Sequence, residues 1–122
     1  MKSEEELNKR NMKIDKNLKL SNNLKLKEAI KSDTAIKHGI DNTPTEDMIE
    51  TMKITAEKVF QPVRDHFGKP IRVTSMYRSI KLNKKIGGSA TSHHCKGWAV
   101  DMDADVYDFE DLTNTDIFNY IA

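Results

Sequence analysis

The sequence predicts an α+β domain in which helices pack on one side of a small, mainly antiparallel sheet. Three observations carry this expectation. A long amphipathic run occupies residues 44–67, two short strand-like stretches occupy residues 71–75 and 97–104, and glycine and proline turns separate them. At 122 residues the chain has room for one domain.

Residues 1–20 are rich in Lys, Glu and Asn and poor in apolar side chains, so they read as a charged N-terminal tail. A short charged helix docking on a neighbour is the alternative. The domain itself is expected over residues 21–122. Leu24, Leu26, Ala29 and Ile30 could seat a short helix or turn on the core. The long helix opens at Asn42-Thr43-Pro44-Thr45-Glu46, where Thr43 can cap, Pro44 suits the first helical position and Glu46 completes a capping box. Met48, Ile49, Met52, Ala56, Val59, Phe60 and Val63 then recur every three or four residues and draw one apolar stripe. Pro62 should kink the helix or start a new turn, and Gly68 and Pro70 mark its stop.

A strand over residues 71–75 follows, then a short helix over 79–86 ended by Gly87-Gly88. In the second strand Ala99, Asp101 and Asp103 share one face, while Trp98, Val100 and Met102 share the other and should meet the core. Thr113-Asn114-Thr115-Asp116 reads as a helix start, with Ile117, Phe118 and Ile121 as the apolar side. That helix is only about two turns long when the sequence stops, which suggests a C-terminally truncated domain.

Charge narrows the function classes. The 20 Lys and Arg side chains against 19 Asp and Glu leave a net charge of +1, so no general field draws in nucleic acid or an anionic membrane. The lysines are scattered and no aromatic–basic cluster appears. No apolar run suggests a membrane span, and no Sec-type signal is visible at the N-terminus. Synthesis in the cytoplasm is therefore expected. The single cysteine cannot form an internal disulfide.

The chemistry-bearing residues gather between positions 75 and 103. His94 lies in a Ser/Gly/His loop and Asp101 on the following strand, seven residues on. Imidazole nitrogen and carboxylate oxygen are ordinary zinc ligands, and a loop folding back over the strand could bring the two together. Asp101 could equally bind backbone amides or Arg78. His93 and Cys95 flank His94, but neighbours in an extended chain point to opposite sides, so His93 is expected exposed and Cys95 buried or half-buried. His38 and His66 read as surface or cap residues.

The neighbourhood adds a resemblance. Ser75-Met76-Tyr77-Arg78-Ser79, Asn83, Gly87-Gly88-Ser89 and the motif Ser92-x-His94-x-x-Gly97-x-Ala99-x-Asp101 resemble the zinc D-Ala-D-Ala carboxypeptidase family of metallopeptidases, and most closely its compact bacteriophage endolysin-type branch. The likeness runs from about Leu20 to the end and includes Gly39-Ile40-Asp41-Asn42-Thr43-Pro44 and Phe67-Gly68-Lys69-Pro70-Ile71. It implies a zinc hydrolase acting on peptidoglycan stem peptides at the bacterial cell wall, reached through phage lysis or a virion. It implies His94 and Asp101 as two of three metal ligands and Arg78 as the arginine that faces the substrate carboxylate or oxyanion. A structural role for Arg78, pairing with Asp101 or Asp103, is the alternative. Ser92 could contact substrate or shape the loop. Asp103 could orient a ligand from behind or stand solvated.

The resemblance also implies a third ligand, a histidine, and a catalytic glutamate after Asp101. No histidine follows Asp101, and Glu110 is the only later glutamate and comes too early to serve. The chain alone is thus expected to be inactive or nearly so. A non-catalytic virion or wall-binding module that keeps the fold is the competing reading.

Overall fold

The computed structural model describes residues 14–89 and 91–121. Its longest feature is the helical rod that the apolar stripe foretold. Helix α3 (Glu46–Thr55) runs through a π-helical turn (Ala56–Phe60) into α4 (Gln61–Phe67). The wide turn answers Pro62. In a regular helix the proline ring would strike the carbonyl four residues back, and the wider turn instead lets the Gln61 N–H bond to the Ala56 carbonyl, five residues back. The helix stops at Gly68, whose left-handed backbone turns its N–H onto the Arg64 carbonyl.

The expected cap at Thr43 is corrected. Thr45 is the N-cap, its hydroxyl accepting from the Met48 N–H at 3.2 Å. The Thr43 N–H is taken by Asp41 Oδ1 at 2.9 Å, and Pro44 is buried in the core before the helix begins. Along the stripe Ile49, Met52, Ala56, Phe60 and Val63 are buried, but Val59 falls on the solvent side of the π turn.

Around the rod lie short elements: β1 (Lys19–Ser21), β2 (Leu24–Lys25), α1 (Leu26–Ile30), α2 (Asp33–His38), β3 (Arg72–Ser75), α5 (Ile80–Lys85), β4 (Asp101–Asp103) and α6 (Asn114–Ile121). The architecture is α+β, with two separate two-stranded antiparallel sheets, β1–β2 and β3–β4. The β1–β2 hairpin lies where the sequence suggested only a helix or turn. Strands this short show no period. The rod holds the hairpin: Gln61 Oε1 accepts from Ser21 Oγ at 2.8 Å and from the Asn23 N–H at 3.0 Å. Leu20, Leu24, Leu26, Ala29 and Ile30 join the core from this end, each large side chain contributing about 1.5–3 kcal/mol by leaving water. Of the tail expected over residues 1–20, positions 1–13 lie outside the described residues, whereas Leu20 is buried.

In the second sheet Arg72 opposes Asp103, Val73 opposes Met102 and Ser75 opposes Asp101, with an irregularity between Val73 and Ser75. The strand expected over residues 97–104 forms a ladder only over Asp101–Asp103. The chain before it is wound into a 3-10 turn (His93–Lys96) ended by Gly97. Trp98 consequently misses the core and is 52% exposed, contrary to expectation. Helix α6 starts as expected, Thr113 and Asp116 exchanging capping bonds. Ile117 is buried, but Phe118 and Ile121 face solvent. No helix among the described residues is long and apolar enough to cross a membrane.

Candidate metal centre

The site forms where three loops meet at the end of β3–β4. The first carries Arg78 and is bracketed by Asn42, a buried side chain whose amide group donates to the Ile30 and Tyr77 carbonyls at 2.8 and 3.1 Å. Asn42 Oδ1 accepts from the Ser79 N–H at 2.7 Å. One side chain therefore fixes the backbone on either side of Arg78. Asn42 lies in the Gly39–Pro44 stretch that carries part of the resemblance, but nothing in the pattern gave it this role.

The second loop carries His94. Ser92 caps its 3-10 turn, its hydroxyl accepting from the His94 N–H at 3.2 Å. Here Ser92 shapes the loop. Gly97 ends the turn with φ +78°, and a Cβ there would lie 2.9 Å from Met52 Cγ and 3.3 Å from the Met48 carbonyl oxygen. The glycine thus does two jobs: it takes a left-handed backbone and lets the loop lie directly on α3. Thr55 Oγ1 donates to the Gly97 carbonyl at 2.7 Å and completes the seam. The Arg78 N–H donates to the His94 carbonyl at 3.2 Å, joining the first loop to the second. His93 is exposed and Cys95 buried beside it.

The third element is β4. Its register places Asp101 opposite Ser75, so its carboxylate reaches the loop histidine. His94 Nε2 stands 3.4 Å from Asp101 Oδ2, and Arg78 Nη2 stands 3.4 Å from the same oxygen. The other imidazole nitrogen, Nδ1, is 2.9 Å from the Met76 carbonyl oxygen. A carbonyl can only accept, so Nδ1 carries a proton and in the neutral ring Nε2 presents its lone pair to Asp101. This is how metal-binding histidines are commonly oriented. The imidazole is mostly buried, 13% exposed, while the Asp101 side chain is half open to solvent at 51%.

Arg78 is held from behind. Its Nε donates to Ser75 Oγ at 2.8 Å and its Nη1 to Asn83 Oδ1 at 3.1 Å. A cleft of about 530 Å³ opens beside it, lined among others by Lys31, Ser32, Arg72, Ser75, Tyr77 and Arg78. Ser75 and Arg78 belong to both the cleft and the His94–Asp101 cluster.

Asp103 sits elsewhere. Its Oδ1 accepts from the Asp105 N–H at 3.0 Å and from Asn114 Nδ2 at 2.9 Å, which ties β4 to the start of α6. None of the bonds that Asp103 makes reaches His94 or Asp101. His38 is exposed at the end of α2, and His66 stacks on Tyr120 with ring centroids 4.0 Å apart. Among the described residues no group of three or more His, Cys, Asp or Glu side chains is placed to hold a metal ion. His94 and Asp101 stand together as a pair.

His94, Asp101 and Arg78 thus meet at one carboxylate oxygen, Asp101 Oδ2. The class of protein comes from the comparison with protein families. The model described as Peptidase M15 matches residues 22–117, and the chain belongs to that family, the zinc D-Ala-D-Ala carboxypeptidase-like metallopeptidases. No curated protein and no solved structure matches the chain significantly.

Proposed function

We propose that the domain is built for zinc-dependent cleavage of peptidoglycan stem peptides, with His94 and Asp101 as zinc ligands and Arg78 as the substrate-facing cation. One observation carries the reading. Two ligands on a tetrahedral ion, each at ~2.0–2.2 Å, stand roughly 3.3–3.5 Å apart, and His94 Nε2 and Asp101 Oδ2 are separated by 3.4 Å. Two lone-pair-bearing atoms at that spacing gain most from a cation between them. Bound zinc would polarise a scissile carbonyl and acidify water.

The protein's own side chains divide the remaining work. The Met76 carbonyl keeps the His94 proton on Nδ1, so that Nε2 stays available. Ser75 and Asn83 hold the Arg78 guanidinium, which lines the cleft and can pair with a peptide carboxylate or with the oxygen that gains charge during cleavage. The partner class is a stem peptide bearing a free carboxylate, not nucleic acid or membrane. Localisation at the cell wall, through phage lysis or a virion, is part of the same proposal.

Two protein ligands hold zinc weakly, and no glutamate is assigned as the general base, so the 122-residue chain alone should turn over no substrate. That same two-ligand set is what favours the second reading, a wall-binding module that kept the fold. Incubation of the purified chain with zinc and an acetylated Lys-D-Ala-D-Ala peptide tests both. Peptide binding that Arg78→Ala abolishes, without hydrolysis, is the expected result. Robust hydrolysis by this chain would refute the two-ligand argument, and zinc-independent binding untouched by Arg78→Ala would favour the module.

A further inference from the structure

We infer that Asn83 is a positioning residue for Arg78, and that Gly88 is a glycine in order to leave room for it. The inference rests on the proposed reading of Arg78 as the group that meets substrate, and it assigns the part of the loop that sets where that group points.

Asn83 is an amide side chain on α5 that is only 1% exposed. A buried amide without partners is costly, and here both of its ends are used. Oδ1 accepts from Arg78 Nη1 at 3.1 Å, and Nδ2 donates to the Ser89 carbonyl. These partners fix which way the amide faces, because a guanidinium can only donate and a carbonyl can only accept. The Gly88 N–H then returns to the Asn83 carbonyl at 2.7 Å. Asn83 therefore stands between the arginine and the segment that leads into the His94 loop.

Gly88 explains itself through the same side chain. Its backbone is not in the left-handed region, unlike that of Gly87. Yet a Cβ at Gly88 would lie 2.6 Å from both Nδ2 and Oδ1 of Asn83. Even alanine would have to push the amide away. The second glycine of Gly87-Gly88 thus serves the arginine at one remove, rather than the turn itself.

The guanidinium is consequently gripped by neutral partners at 2.8 and 3.1 Å, Ser75 and Asn83, while its contact with Asp101 is longer at 3.4 Å. An arginine held mainly by its charged neighbour would be drawn toward the metal ligand. A hydroxyl and an amide orient the fork without adding charge, so of these three partners only Asp101, at 3.4 Å, offsets the charge that an incoming carboxylate would meet. Fixing the fork before binding also removes the entropy cost of ordering a long side chain.

The test uses the full 122-residue chain labelled with nitrogen-15. The Nη resonances of Arg78 are resolved when rotation of the guanidinium is restrained and merge when it is free. They are expected resolved in the wild type. They should merge in Asn83→Leu and in Gly88→Ala, while the backbone amide spectrum of β3 and β4 stays in place. Should Asn83→Leu fail to fold, the contrast between the wild type and Gly88→Ala decides. Resolved Nη resonances in Asn83→Leu or in Gly88→Ala would overturn the positioning role.

With zinc chloride present, N-acetyl-D-alanyl-D-alanine should bind about tenfold more weakly to Gly88→Ala than to the wild type. Its C-terminal amide should be bound equally by both. A wild type that binds acid and amide alike would overturn the substrate-facing reading of Arg78, and with it the purpose assigned to Asn83, whatever the resonances show.

Discussion

Substituting Gly97 by alanine separates two costs that the structure places on one residue. The first is conformational: φ is +78°, and a left-handed backbone costs a residue with a Cβ about 1–2 kcal/mol. The second is steric, since the new Cβ would meet Met52 Cγ at 2.9 Å and the Met48 carbonyl oxygen at 3.3 Å. Met52 is fully buried and the carbonyl is part of α3, so neither can swing aside. Overpacking of this kind costs about 1–3 kcal/mol. The sum is a loss of roughly 2–5 kcal/mol, a large share of the ~5–15 kcal/mol that holds a typical domain folded. Gly39→Ala supplies the control, because Gly39 has φ +62° but nothing within 4 Å of the position its new methyl group would take. It should lose only the conformational part, about 1–2 kcal/mol. Urea unfolding followed by circular dichroism reads both, provided the slopes agree. If Gly97→Ala proves as stable as Gly39→Ala, the His94 loop is not seated on the rod.

Further expectations concern the same seam and its surroundings. Thr55→Val keeps the shape but removes the donor to the buried Gly97 carbonyl, so unfolding free energy should fall by about 1–3 kcal/mol. Ile117→Ala should cost about 2–5 kcal/mol, because Ile117 is the buried residue of α6. Phe118→Ala on the same helix should change stability by no more than about 0.5 kcal/mol, since Phe118 is 70% exposed. The reverse ranking in thermal melts would show that α6 packs through its other face. Asn42→Ala strips three hydrogen bonds from buried or partly buried backbone around Arg78. It should both destabilise the fold and shift the Arg78 backbone resonances, whereas unchanged resonances would remove Asn42 from the site.

What could be read from the sequence follows from how each feature is encoded. The rod was legible because apolar residues every three or four positions admit few other arrangements. Its start lies two residues later than the spacing predicts, since Thr43 and Thr45 are both able caps and the sequence does not choose between them. Trp98 and Phe118 were assigned to the core by alternation and spacing, which hold only while the backbone stays regular. The 3-10 turn before β4 breaks the alternation for Trp98. Helix α6 is short enough that one buried residue, Ile117, suffices to anchor it. The β1–β2 hairpin left no signal, being made of three- and two-residue strands held by Gln61 from the rod.

At the site, the motif marked His94, Gly97 and Asp101 as belonging together, but the spacing could not say that a single carboxylate oxygen meets both the imidazole and Arg78. Asn42 and Asn83 stand within the stretches that carry the resemblance, but their roles were not legible there. A bridging amide has no period of its own, and its role exists only once the loops have met.

The most direct test of the account is where zinc binds. Crystals of the chain soaked in a zinc salt and measured on both sides of the zinc absorption edge should show an anomalous peak bonded to His94 Nε2 and Asp101 Oδ2, lost in Asp101→Ala. A peak on His93 or His66 with none at His94, or no peak at all at saturating zinc, would contradict it.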